Sequence, residues 1–452
     1  MRTRREMTMY SLLEFPELER RLEKKAAEGW RLKKTGTFFW TYEACEPKQV
    51  HYSIVFFPKT NALDPEPSDS LVMMREFCEK TGWKLVAEVG QMQIFCNEAA
   101  NPTPIETEAW IQVKNIHETM KKGIVLTHSI LLANAVLQFM MQMLQFAVNP
   151  IDWLSRGFNF YLLLCWIALG IGSGTEIVHY LLWHKKAKRI AEEEEYLYLP
   201  KSIKGFRIVY LAVAMVSLFF GILALVDFTS VKYGWFVVIW TTVIIGVPVG
   251  GSKLLKKMKV SAKWNQIIII VLAIVASVGM SAALIMTVMK DADFISREKT
   301  EMPLELSDLR EVEEDDLVEN YRESDSIFLM YKEGYQREKW EEGESVADRL
   351  MIDYTVLVVK LPFIYDFCKE EMLDRYSDWD EKYPELQGYQ GYKSVNMPQW
   401  NAVEVYQYHG FENEPENRYI VCYEDRMIQI NLGWEVTDED IAKVRESIYN
   451  IP

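Results

Sequence analysis

Histidine and cysteine are scarce in this chain, six of each in 452 residues. No two cysteines stand at Cys-x-x-Cys spacing, which removes the zinc ribbon and the thioredoxin-like dithiol. Also missing are a Gly-x-x-x-x-Gly-Lys phosphate loop, a His-Glu-x-x-His pair and a Gly-x-Ser-x-Gly elbow. The common nucleotide, zinc-protease and hydrolase chemistries therefore have no footing in the sequence. Run 311–316 is acidic but lacks the glycine and alternating oxygen ligands of a calcium loop. The expectation is a protein that is not an enzyme and holds no metal or cofactor.

Long apolar runs are what the chain does have. Five lie between Ile124 and Met289, at 124–147, 158–183, 206–227, 235–255 and 267–289. A hydrocarbon core of roughly 30 Å takes about 20 apolar residues as a helix, since no unpaired backbone group can face lipid. The chain reads as a multi-pass membrane protein in contact with membrane lipid.

Basic residues in the connections set the orientation. Lys185, Lys186, Lys188, Arg189, Lys201 and Lys204 follow the second span, and Lys253, Lys256, Lys257, Lys259 and Lys263 follow the fourth. The other two connections hold only Arg156 and Lys232. This places the amino terminus in the cytoplasm and, after an odd number of crossings, the carboxyl segment outside the cell membrane. The first 100 residues show no signal peptide, in keeping with a cytoplasmic start.

Charge divides the same way. From Lys290 onward there are 18 Lys and Arg against 40 Asp and Glu, a balance of −22 inside a total of −15, so the preceding residues carry +7. An exterior domain this acidic repels nucleic acid and anionic lipid and favours cationic ligands; solubility alone also accounts for it. Of the cysteines, only Cys368 and Cys422 fall outside. A disulfide between them would add about 4 kcal/mol by loop closure, with two core thiols as the preferred alternative.

Residues 1–105 form a cytoplasmic domain with an internal repeat. Helix 16–28 ends at Gly29-Trp30-Arg31-Leu32, and helix 70–81 ends at Gly82-Trp83-Lys84-Leu85. Each glycine suits a left-handed helix cap, and each tryptophan opens a strand. Strand patterns at 7–12, 31–42, 50–57, 84–89 and 91–97 give the order β-α-β-β-α-β-β, a ferredoxin-like α/β plait with one added strand.

Those residues resemble a known family. The Gly29-Trp30-Arg31-Leu32 and Gly82-Trp83 pair, strand Phe38-Phe39-Trp40-Thr41-Tyr42-Glu43 with Cys45-Glu46-Pro47, the ending Phe56-Phe57-Pro58, and the piece 107–122 entering a span are similar to the bacterial domain-of-unknown-function family 2812. The resemblance covers about the first 120 residues. It implies a membrane protein of Gram-positive bacteria, often encoded beside PadR-type transcriptional regulators, and supplies no reaction and no site residues.

Residues 106–123 read as an amphipathic connector, either lying among headgroups or simply joining domain to span. Inside the spans, Asn134, Gln138, Gln142 and Gln145 recur at helical spacing and make one polar stripe, read as interhelical contacts in preference to a solute path. Gly170 with Gly174, and Gly246 with Gly250, suit close helix approach. Glu176 is the one carboxylate well inside an apolar run, with His179 on the same face. Counting about 1.5 Å per residue from mid-span, Glu176 lies about 9 Å and His128 about 12 Å toward the cytoplasm. Glu176, His179 and His128 thus form the best candidate site, able to take up a proton, bind a cation or sense pH, with neutralisation by Arg207 as the structural alternative. Gly279-Met280-Ser281 resembles a rhomboid serine motif, although its small neighbours describe a helix contact equally well.

After a stalk at 290–308, residues 309–452 read as an acidic exterior α+β domain. Strands are expected at 326–331 and 335–340 about a turn at 332–334, then at 352–360, 402–408, 419–423 and 427–432, with a helix at 363–376 and a final helix capped by Thr437 and Asp440. Tyr376, Trp379, Tyr383, Tyr389, Tyr392 and Trp400, beside Glu371, Asp374, Asp378, Asp380 and Glu381, either line a site for a cationic or sugar-like ligand or cover a sheet edge. The expected whole is a five-span sensor or regulatory component with a cytoplasmic regulatory protein as partner. An accessory subunit of a transporter, working through the polar residues of the spans, and a membrane enzyme are the alternatives.

Overall fold

The computed structural model describes residues 2–7, 15–36, 39–59, 63–106, 108–193, 202–229, 234–290, 302–312, 317–339, 350–374, 391–410 and 413–449. It forms two compact units: residues 1–139, 164–225 and 229–284 make the first, and residues 140–163, 226–228 and 285–452 the second.

The first unit begins β1 (Thr3–Met7), α1 (Phe15–Ala27), β2 (Trp30–Lys34), β3 (Phe39–Ala44), β4 (His51–Phe56), α2 (Asp69–Lys80), β5 (Lys84–Val89) and β6 (Met92–Asn97). The single plait sheet expected from the sequence is instead two three-stranded antiparallel sheets, ordered β1-β3-β2 and β4-β6-β5. Segment 31–42 has the alternation of one long strand, but it divides into β2 and β3, which pair as a hairpin around Gly36.

The two halves are copies of one βαββ unit. Gly29 and Gly82 end their helices at φ +84° and +86°, where a side chain would be strained. Fifty-three residues apart, Arg31 pairs with Glu43 and Lys84 with Cys96, then Leu32 with Tyr42 and Leu85 with Phe95. Both hairpins slip register at the same place, after Leu32 and after Leu85. Leu18 and Leu71 are the matching helix anchors, both buried.

Lys25 of α1 donates to Glu6 of β1 at 2.6 Å and stands 4.6 Å above the Tyr42 ring. In the second half the counterparts of Glu6, Lys25 and Tyr42 are Val55, Cys78 and Phe95, packed into an apolar cluster with Trp83. One geometry is thus held by charge in one copy and by burial in the other.

A helix α3 (Ala109–Met120) runs through one π turn, Lys121–Val125, into α4 (Leu126–Val148). The junction residues Met120, Lys121 and Leu126 all keep right-handed helical angles, so α3 and α4 run on as one continuous helix. Then come α5 (Pro150–Ser155), α6 (Gly157–Glu192), α7 (Ser202–Thr229), α8 (Gly234–Lys257) and α9 (Ala262–Lys290). Among the described residues three helical stretches are long and apolar enough to cross a membrane, Leu126–Val148, Gly157–Glu192 and Ala262–Met280, and Leu211–Val226 is a shorter apolar helix.

The second unit holds α10 (Leu306–Leu309), β7 (Leu317–Asp325), β8 (Leu329–Glu338), β9 (Met351–Val359), α11 (Tyr365–Asp374), β10 (Gly391–Ser394), β11 (Glu404–His409), β12 (Pro415–Cys422), β13 (Arg426–Leu432) and α12 (Asp438–Val444). Its strands form one antiparallel sheet ordered β10-β11-β12-β13-β9-β8-β7. The turn expected at 332–334 lies instead inside β8, where Gly334 pairs with Tyr354. A Cβ at Gly334 would run into the Tyr354 ring, so this glycine opens a slot for an aromatic and does not bend the chain.

Candidate functional site

The sheet of the second unit buries both faces. Ile352, Tyr354, Val356, Ile428 and Ile430 face Leu306, Ile441 and Val444 on one side. On the other, Leu329, Leu357, Ile420 and Met427 meet Cys368 and Met372 of α11 together with Ile151, Trp153 and Leu154 of α5. Helix α5 is the short link between α4 and α6, and Asn149 caps it by accepting from Asp152 N. Its apolar side is therefore an integral layer of the carboxyl-terminal domain.

Polar bonds fix α5 in place. Ser326 Oγ donates to the Leu154 carbonyl at 2.7 Å, and Arg322 pairs with Asp152, which Arg156 also reaches at 3.0 Å. Burial alone would raise the Asp152 pKa, but the two guanidiniums hold it below the usual carboxylate value. Phe146 stacks on Phe367 at 6.0 Å, and Phe160 meets Phe328 edge-on at 5.0 Å.

The first unit shows the same device. Tyr180, Trp183 and Ala187 of α6 lie in the same buried cluster as Leu22, Leu32, Ile54, Ile94 and Ile116 of the amino-terminal domain. His117 of α3 stacks on His184 of α6 at 4.2 Å, and its Nδ1 is 2.6 Å from the Tyr180 hydroxyl. The sheet-bearing part of each unit thus completes its core with side chains from the α4, α5 and α6 segment.

Of the residues singled out by sequence, Glu176 and His128 are half-buried and His179 is buried. Each carries polar, ionic or ring contacts. Among the described residues no group of three His, Cys, Asp or Glu is arranged to hold a metal, so these three have no metal-centre geometry. The Arg207 side chain lies outside the described residues.

In the polar stripe Gln142 is buried and accepts from Trp153 Nε1 at 2.7 Å. Its partner is in α5 and not on another long helix. Gln138 is half-buried, while Asn134 and Gln145 are exposed. Gly170 approaches Ala135 of α4, whereas Gly174, Gly246 and Gly250 face open space. A Cβ at Gly251 would come closer, 2.7 Å from Ile269, and one at Gly221 would meet Cys165 at 3.6 Å; Ser217-x-x-x-Gly221 has the small-xxx-small spacing and Gly251 has no such partner.

Cys368 and Cys422 stand as free thiols, both buried. Burial pushes each up to about 11. Of the aromatic group, Tyr376, Trp379, Tyr383 and Tyr389 lie outside the described residues, as do Asp378, Asp380 and Glu381. Trp400 is fully buried in the core and Tyr392 stacks edge-on with Tyr408 at 5.3 Å. Glu371 and Asp374 carry contacts of their own.

The α5 and α6 anchors are residues that sequence reasoning misses. The signal is present in Trp153 and Trp183, large side chains at the ends of apolar runs that also read as ordinary interfacial tryptophans. No curated protein and no solved structure matches the chain. What the comparisons do identify is the amino-terminal region: residues 14–128 match the model of the family described as Protein of unknown function (DUF2812).

Proposed function

We propose that this is a five-span membrane protein acting as a non-enzymatic sensor or regulatory component, with an exterior acidic domain and a cytoplasmic domain that engages a regulatory protein. The supporting observation is the shared use of one helical segment. Trp153 and Leu154 belong to the core of the carboxyl-terminal domain, and Tyr180 and Trp183 to that of the amino-terminal domain. A ligand that shifts α5 has a packed route into α6, because well-packed interfaces move between discrete arrangements and do not deform smoothly. The lysine-rich connections support a cytoplasmic amino terminus.

Trp153→Ala in the full-length protein in its membrane tests this. Truncating a buried tryptophan costs about 3–5 kcal/mol locally. Cys368 and Cys422 are then expected to react faster with a permeant maleimide, and Cys78 and Cys96, buried in the amino-terminal domain, to change rate with them. If the exterior thiols open while Cys78 and Cys96 keep their wild-type rates, the domains are independent and the regulatory reading fails.

A further inference from the structure

The duplicated βαββ unit has one internal joint and two unmatched ends. At the joint, α1 lies along the open edge of β4, an end strand of its sheet. Glu19 accepts from Ile54 N at 2.7 Å and Glu23 from Tyr52 N at 3.2 Å. The carboxylates thereby cover backbone donors that an edge strand otherwise leaves open.

The same surfaces recur, unjoined, at the ends. Strand β1 is the counterpart of β4 and likewise ends its sheet. Thr3 pairs with Glu43 and Arg5 with Thr41, as Tyr52 pairs with Cys96 and Ile54 with Ile94. That register puts the N–H groups of Thr3 and Arg5 where Tyr52 and Ile54 give theirs to α1. Helix α2 is the counterpart of α1, and Val72 and Glu76 hold the places of Glu19 and Glu23.

Both ends are exposed and apolar. Met73 and Phe77 of α2 are 68% and 61% exposed, and Met7 and Phe39, a cross-strand pair beside the β1 edge, are each 57% exposed. Their charges are opposite in balance. Helix α2 carries Asp69, Glu76 and Glu79 against Arg75 and Lys80, with Arg75 bonded to Glu88 and Gln93, and Arg2, Arg4 and Arg5 are exposed on and beside β1, whose Glu6 is bonded to Lys25.

We infer that the amino-terminal domain binds a second copy of this chain head to tail, α2 of one copy covering the β1 edge of the next and repeating the α1–β4 joint. Glu76 accepts from the Thr3 backbone as Glu23 does from Tyr52, Met73 and Phe77 cover Met7 and Phe39, and the arginines meet the acidic side chains. Such a contact uses different surfaces on the two partners, so it builds rings or rows in the membrane plane and not a two-fold dimer.

A photo-crosslinking residue placed at Phe77 in the full-length protein, in its native membrane, reads this directly. The expected product is a dimer adduct whose crosslinked peptide contains residues 2–7 or 39–44. Arg5→Glu should cut the adduct about fivefold or more, and adding Val72→Arg, at the place that faces Arg5, should restore it, since like charges at an interface exclude and opposite ones steer. Protection of the buried Cys78 thiol shows that each variant is folded. Adducts to lipid, to a different protein or to another segment of the chain, or a dimer yield that ignores both charge changes, overturn the assignment.

Discussion

Asp440 serves a local role that its neighbours in sequence announce and a distant one that they do not. Thr437-x-x-Asp440 has the spacing of a helix-capping pair, and both reciprocal bonds are present. The same carboxylate also takes a two-pronged bond from Arg310, at 2.7 and 3.0 Å, and a third from Trp434 Nε1 at 3.2 Å. Arg310 stands 130 residues away, and pairings at that separation leave no periodic trace. Burial alone would raise the Asp440 pKa, yet Arg310, Thr437 and Trp434 pull it down to about 2. A carboxylate depressed in the folded state stabilises above its ordinary value and loses that contribution as pH falls toward the folded one. The domain should lose about 2 kcal/mol between about pH 4 and pH 2 through this group. Asp440→Asn leaves Arg310 unpaired and should lower the stability of the carboxyl-terminal domain by about 3 kcal/mol at about pH 7, with the acid slope reduced, as thermal unfolding in detergent will register.

At the scale of elements, the repeat is legible in the sequence and its architecture is not. Gly29-Trp30 and Gly82-Trp83 fix the duplication because a left-handed cap and an aromatic packed against the core, Trp30 half-buried and Trp83 buried, need particular residues at particular places. Whether six strands make one sheet or two depends on edges, which alternation does not encode. The β4 edge is closed by Glu19, and its burial drives the Glu19 pKa up to about 8 against the bond from Ile54 N, with Glu23 and Glu106 adding repulsion. For a carboxylate raised in the folded state the sign is opposite to that of Asp440. The folded protein keeps a proton that the unfolded chain gives up, so stability is greatest below the ordinary value and falls as pH climbs toward about 8. Each pH unit in that window costs up to about 1.4 kcal/mol. Glu19→Gln retains an oxygen for Ile54 N and removes the charge. It should flatten the slope between about pH 5 and pH 8 and make the amino-terminal domain more stable than wild type at the upper end, measured by urea unfolding followed through Cys78 accessibility. An unchanged slope would show that Glu19 ionises freely in the folded domain.

At the scale of the molecule, hydropathy locates the long helices, since spanning lipid demands an unbroken apolar run. It does not reveal that α5 and α6 complete the cores of the two sheet-bearing domains, because Trp153 and Trp183 satisfy the membrane pattern and the domain core with the same surface. The proposed orientation rests on a different quantity, the eleven basic residues of two connections against the two of the others. It predicts which thiols an impermeant maleimide finds in intact cells. Phe363 is 79% exposed in the carboxyl-terminal domain, and Phe363→Cys should be labelled at once from outside. Cys45, half-buried in the amino-terminal domain, should label only after the membrane is opened. Labelling of both in intact cells, or of Cys45 alone, would put the lysine-rich connections on the wrong face. An even number of crossings would place both domains on one side and give equal protection to the two positions, so this pair of cysteines decides the parity of the spans as well as their direction.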